Sequence, residues 1–96
     1  VNPYLAVAGI IAAGIDGIEK KMKLEPIFSG NAYESDSERV PSTMTEAANH
    51  WKSSTWARET FGAEVHDHYA NMAHIELSAF GKAITDWERF RNFERF

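Results

Sequence analysis

The chain has 96 residues, enough for one small domain with a thin core, and its 44% hydrophobic and 25% charged content is that of a folded protein rather than a disordered one. A net charge of -4 and a pI near 5.5 argue against general attraction to nucleic acid or to anionic lipid. The absence of cysteine removes disulfides, thiolate zinc sites and cysteine nucleophiles, and fits a reducing cytoplasm.

The first element is a helix over about residues 3–22. Asn2 supplies a side-chain cap and Pro3 takes the first helical position, where its missing N–H costs nothing. From Pro3 to Ile15 the only polar side-chain group is the Tyr4 hydroxyl, and charge begins at Asp16. These 13 residues fall short of the roughly 18 to 20 that cross a bilayer, and no basic stretch precedes them as in a signal peptide. A helix apolar on every side is one that other structure encloses. Its small residues (Ala6, Ala8, Gly9, Ala12, Ala13, Gly14) let neighbouring backbones approach, although each helical glycine costs about 1 kcal/mol relative to alanine. Lys20, Lys21 and Lys23 crowd the end that suits cations, and Asp16 to Lys20 reads as an i,i+4 ion pair.

A loop over about residues 24–42 follows, with Pro26, Gly30 and Pro41 breaking any period. Ile27, Phe28 and Tyr33 are its candidate anchoring side chains, and Glu34, Asp36 and Glu38 read as a solvated acidic stretch rather than an acid–base pair. Thr43 and Glu46 form a capping-box pattern that opens a short helix over about 44–52, and Ser53 or Ser54 opens another over about 55–61, closed by Gly62. A long helix over about 63–84 carries an apolar stripe of Val65, Tyr69, Met72, Phe80 and Ile84. Thr85 and Glu88 form a second capping box before a turn or helix over 86–96. No segment alternates as a strand does, so the fold class is all-α: four to five helices plus one long loop.

Few of these residues carry chemistry. His66, Asp67, His68 and His74 suggest a metal site, but His66 and His68 point about 200° apart on a helix and His74 lies roughly 12 Å further along, too far for ligands of one ion. Gly9, Gly14 and Gly17 lie inside a helix and cannot form a phosphate loop. No serine, histidine and aspartate are placed as a triad. The tail sets Trp87, Phe90, Phe93 and Phe96 among Arg89, Arg91 and Arg95, a pattern read as packing or subunit contact rather than base stacking. No catalytic, cofactor-binding or metal-binding residue is assigned from the residues alone.

The opening stretch NPYLAVAGIIAAGIDGIEKK resembles the glutamine synthetase family, near the C-terminal part of its catalytic domain. Asn2, Pro3, Tyr4, Leu5, Ala12, Ala13, Gly14, Asp16, Gly17, Ile18 and Lys21 fall in step with the family's pattern, with Ile15 in place of leucine. Asn31, Ala32 and Tyr33 are similar to its Asn-Leu-Tyr, Pro41 to Ala47 to its Pro-x-Ser-Leu-x-Glu-Ala, and Ile84 to Arg89 to its Val-Thr-Asp-Trp-Glu-Arg. That last ending resembles the branch that joins glutamate to amines other than ammonia.

The resemblance implies the C-terminal helical portion of an α+β catalytic domain. It also implies an ATP-dependent ligase that forms γ-glutamyl phosphate and displaces the phosphate with ammonia or an amine, using two Mg or Mn ions. In the family the metal, ATP and glutamate residues lie upstream of the position of Asn2, so none is carried over. In the family the active sites form between subunits of a ring. Val1 stands where a start would have methionine, and the chain is expected to be an excised portion, inactive alone. Its expected partners are the rest of the catalytic domain and neighbouring subunits, with self-association through Leu5, Ile11, Ile15 and the C-terminal aromatics. The competing reading is a self-standing helical interaction module. In some bacterial members the tyrosine equivalent to Tyr33 is adenylylated. Here Ala32 replaces leucine, and Glu34 and Ser35 follow where those members have Asp-Leu-Pro, so a loop-anchor reading of Tyr33 stands beside modification.

Overall fold

The computed structural model describes residues 2–36, 38–93 and 95. Among them there are five α-helices, one 3-10 turn and no strand, the all-α architecture expected. The chain divides into two compact units, Val1–Glu38 and Arg39–Phe96.

The N-terminal unit is built on α1 (Pro3–Glu19). Asn2 Oδ1 accepts from the backbone N–H groups of Tyr4 at 3.1 Å and Leu5 at 3.3 Å, which satisfies two of the donors that a helix start leaves without partners. The helix ends three residues short of the expected position 22, because the chain closes it with a pair of reversed hydrogen bonds. The N–H of Met22 reaches the carbonyl of Gly17 at 2.9 Å and that of Lys21 reaches Ile18 at 3.1 Å, with Lys21 turned left-handed at φ 50°. This termination is normally made by glycine, and a lysine there holds backbone strain of about 1 kcal/mol. Within α1, Leu5, Gly9, Ala12 and Asp16 form a half-buried stripe at helical spacing, while Tyr4, Val7, Ile10, Ile11, Ile15 and Ile18 are all exposed. No residue of α1 is fully buried. Beyond it the backbone is irregular until the 3-10 turn Ala32–Glu34. Asn31 caps that turn through Tyr33 N–H at 3.2 Å and holds Glu34 Oε1 at 3.0 Å. The expected anchors Ile27, Phe28 and Tyr33 are exposed within this chain.

The C-terminal unit contains α2 (Met44–Ser53), α3 (Thr55–Phe61), α4 (Ala63–Phe80) and α5 (Asp86–Asn92). Each start has its own local cause. Thr43 Oγ1 accepts from Glu46 N–H at 3.2 Å, Ser54 Oγ from Ala57 N–H at 3.1 Å and Thr85 Oγ1 from Glu88 N–H at 3.2 Å. At α5 the capping box is complete, since Glu88 Oε2 accepts from Thr85 N–H at 2.8 Å. At α2 the returning carboxylate passes Thr43 and takes the N–H of Ser42 at 2.9 Å instead. Gly62 joins α3 to α4 at φ 83° and ψ 151°, a conformation open almost only to glycine.

Both α2 and α3 pack on α4. The inward side of α4 is His66, Tyr69, Ala70, Ala73 and Leu77, at steps of three, one, three and four. This corrects the expected apolar stripe: Tyr69 does face inward, but Val65, Met72, Phe80 and Ile84 are exposed. A tally of apolar side chains misplaces the face because its most buried member is a histidine, fully hydrogen-bonded. The helix also stops at Phe80, where Gly81 caps it and a turn follows through the N–H of Lys82 to Ala79 at 3.2 Å and of Ala83 to Phe80 at 3.0 Å. Ile84 therefore lies outside the helix.

Candidate functional site

The most highly organised cluster of polar side chains sits where α2 and α3 meet α4. Trp51 and His66 exchange hydrogen bonds across 15 positions of sequence: the indole Nε1–H donates to the His66 carbonyl at 2.9 Å, and His66 Nε2 donates to the Trp51 carbonyl at 2.8 Å. Their rings stack with centroids 5.5 Å apart and planes 19° from parallel. Trp51 also meets Phe61 at 5.5 Å and Tyr69 edge-on at 6.3 Å, so one side chain joins all three helices. His66 is 3% exposed and Ala57 of α3 4%, and these are the buried residues among those described.

On the other edge of the imidazole, Nδ1 lies 3.1 Å from Asp67 Oδ1 and 3.3 Å from Arg58 Nη1. Arg58 and Asp67 bond directly, closing a triangle between α3 and α4. The Arg58 hydrogen bond, followed by that of His66, holds the Asp67 carboxyl below its ordinary value. An open depression of about 560 Å³ beside this cluster is lined by Lys52, Arg58, His66, Asp67, Asn71 and His74, among others.

The arrangement ties α2 and α3 to α4. Both nitrogens of His66 are occupied, and the nearby Ser54 hydroxyl is committed to capping α3. Among the described residues, no three histidine, aspartate or glutamate side chains converge to hold a metal ion. His68 meets Tyr69 edge-on at 5.5 Å, outside the tie. The expected Asp16 to Lys20 pair forms at 2.9 Å on α1. Trp87, Phe90 and Phe93 are exposed on the C-terminal segment, with Arg91 5.6 Å over the Trp87 ring; Phe96 lies outside the described residues. Tyr33 stands on the 3-10 turn with most of its surface exposed.

Sequence reasoning did not find the Trp51–His66 pair or the part played by Arg58. Trp51 was legible as a helix residue, but nothing local links positions 15 apart. A buried ring with two occupied nitrogens is recognisable only once the helices are brought together.

Comparison with known proteins supplies the class of this capped helical chain and its tied corner. The family described as "Glutamine synthetase, catalytic domain" matches residues 1–92, and the chain belongs to the glutamine synthetase family. Among individual relatives, it is similar to the gamma-glutamylethanolamide synthetase of Streptomyces coelicolor, 56% identical over 95 residues, covering 99% of this chain and 21% of that protein. It is also similar to the glutamine synthetases of Staphylococcus aureus and Staphylococcus epidermidis, each 27% identical over 103 residues, covering 99% of this chain and 23% of theirs. The chain thus spans about a fifth of the length of the curated relatives it matches.

Proposed function

We propose that this chain is the C-terminal helical portion of the catalytic domain of an ATP-dependent ligase that joins an amine to the γ-carboxylate of glutamate. The observation that carries the reading is the 56% identity to a gamma-glutamylethanolamide synthetase along nearly the whole chain, twice the 27% shared with the glutamine synthetases. In this reading the acceptor is an amino alcohol rather than ammonia. ATP and Mg or Mn are bound by residues outside this chain, which serves as scaffold and subunit contact, and the enzyme works in the cytoplasm. No helix among the described residues is long and apolar enough to cross a membrane.

The role of scaffold is supported by the exposure of α1. Its aliphatic face, including Ile11 and Ile15, would be enclosed by the rest of the catalytic domain, and Leu5 lies at the edge of that face. Taken alone, the chain associates with itself through this face and the C-terminal aromatics, and has no ligase activity. Tyr33 acts as a loop anchor against neighbouring structure; a nucleotidyl mass increment on its peptide, isolated from cells, would contradict that.

The test is phosphate release and product mass with the full-length protein, glutamate, ATP and Mg, offered ethanolamine or ammonia. The reading expects a γ-glutamyl amide of ethanolamine at a rate well above glutamine formation. Equal or faster glutamine formation overturns the acceptor, and no glutamate-dependent phosphate release overturns the ligase.

A further inference from the structure

Among the described residues His66 is the only buried polar one. A carbonyl has no proton to give, so Nε2, 2.8 Å from the Trp51 carbonyl, keeps its hydrogen in both the neutral and the charged ring. Nδ1 is therefore the nitrogen that gains or loses a proton, and it faces groups of opposite charge: Asp67 Oδ1 at 3.1 Å and Arg58 Nη1 at 3.3 Å. A bare Nδ1 accepts an N–H from Arg58 but sets its lone pair against the Asp67 carboxylate. A protonated Nδ1 donates to Asp67 but sets its hydrogen against the guanidinium. Each state of the ring suits one neighbour and conflicts with the other.

We propose that protonation of His66 exchanges its Nδ1 partner from Arg58 to Asp67; because Asp67 Oδ1 is also the atom that bonds Arg58, acidification draws that carboxylate to the ring, moves the Arg58 guanidinium off it and loosens the link between α3 and α4. The partners have room to do this, with side chains 47% and 61% exposed, whereas the ring is held in place by Trp51 through the reciprocal bonds and the stack. Asp67 is already held in its charged form by the same contacts, so it is present as the acceptor when the proton arrives. The other charged or titratable groups on the wall of the same depression are Lys52 of α2 and His74 of α4. Lys52 opposes a positive ring, and His74 does so once protonated, so both act against the charged ring and neither offers it another partner.

Histidine C2–H exchange, read by tandem mass spectrometry on the full-length protein from about pH 5 to about pH 9, gives the titration midpoint of His66 separately from that of His68. Arg58→Gln is expected to raise the midpoint and Asp67→Asn to lower it, each by about one pH unit. Arg58→Lys, which keeps the charge, is expected to fall between wild type and Arg58→Gln, and serves where the glutamine variant does not fold. In wild type, amide protection of α3, corrected for the intrinsic pH dependence of exchange, is expected to fall through the same midpoint. Absence of a His66 titration, shifts of the same sign in the two variants, or α3 protection unchanged across the midpoint would each overturn the proposal.

Discussion

In the C-terminal unit a single tryptophan touches Phe61, His66 and Tyr69 and ties three helices together, whereas in the N-terminal unit a 17-residue helix rich in isoleucine has no fully buried side chain. Ile10 and Ile18 are 74% and 78% exposed, although α1 is the more apolar of the two sequences. Apolar content therefore does not say where burial occurs. Burial is set by which surfaces meet, and the three crossing helices of the C-terminal unit meet one another, while α1 presents its aliphatic face outward.

The contrast is sharpened by substitutions whose effects should run from large in one unit to nearly nil in the other. Trp51→Ala is expected to cost about 3–5 kcal/mol, since it removes the central ring and the indole donor to the His66 carbonyl; urea unfolding followed by helical circular dichroism measures it. Gly62→Ala should cost about 1–3 kcal/mol in the same experiment. Apart from Gly62 itself and its two chain neighbours, no atom lies within 4 Å of the added methyl, so the loss comes from the backbone at φ 83°.

Asn2→Ala and Thr85→Ala each remove a cap and should cost about 1 kcal/mol, seen for Asn2 as fraying at the start of α1 by amide exchange. Acid acts on the same kind of contact. The N–H of Ser42 lowers the Glu46 carboxyl and the N–H of Thr85 lowers that of Glu88. A group whose folded value is depressed contributes stability above its unfolded value and loses it as pH falls through the folded one. The starts of α2 and α5 should therefore be intact above about pH 5, weaken below the ordinary glutamate value of 4.5 and recover on neutralisation, as amide exchange or circular dichroism would report. At the smallest end, Ile11→Ala should change the chain's own unfolding by under about 0.5 kcal/mol, because the side chain is 57% exposed. The same substitution should clearly weaken self-association in sedimentation. A large loss of intrinsic stability from Ile11→Ala would break the comparison.

Features confined to four or five successive residues could be read from the chain alone. The caps at Asn2, Thr43 and Thr85 and the Asp16 to Lys20 pair are of this kind, because donor and acceptor are brought together by one turn of helix whatever the rest of the molecule does. The end of α1 was harder, since Lys21 takes a left-handed conformation that composition assigns to glycine. The inward face of α4 was misplaced for a different reason. Counting apolar side chains presumes that polar ones face water, and His66 does not, having a partner for each nitrogen.

The all-α class, the helix starts and the family were legible in the residues alone, since they rest on residue identity and on contacts that one helical turn enforces. That Trp51 and His66 share two hydrogen bonds, that Arg58 and Asp67 contend for the same ring nitrogen, and that Val65 and Met72 turn away from the core came from the packing of the helices. Those contacts join residues on different helices or depend on which side of a helix meets its neighbours, and the crossing of those helices is a property of the whole packed unit, not of any stretch within it.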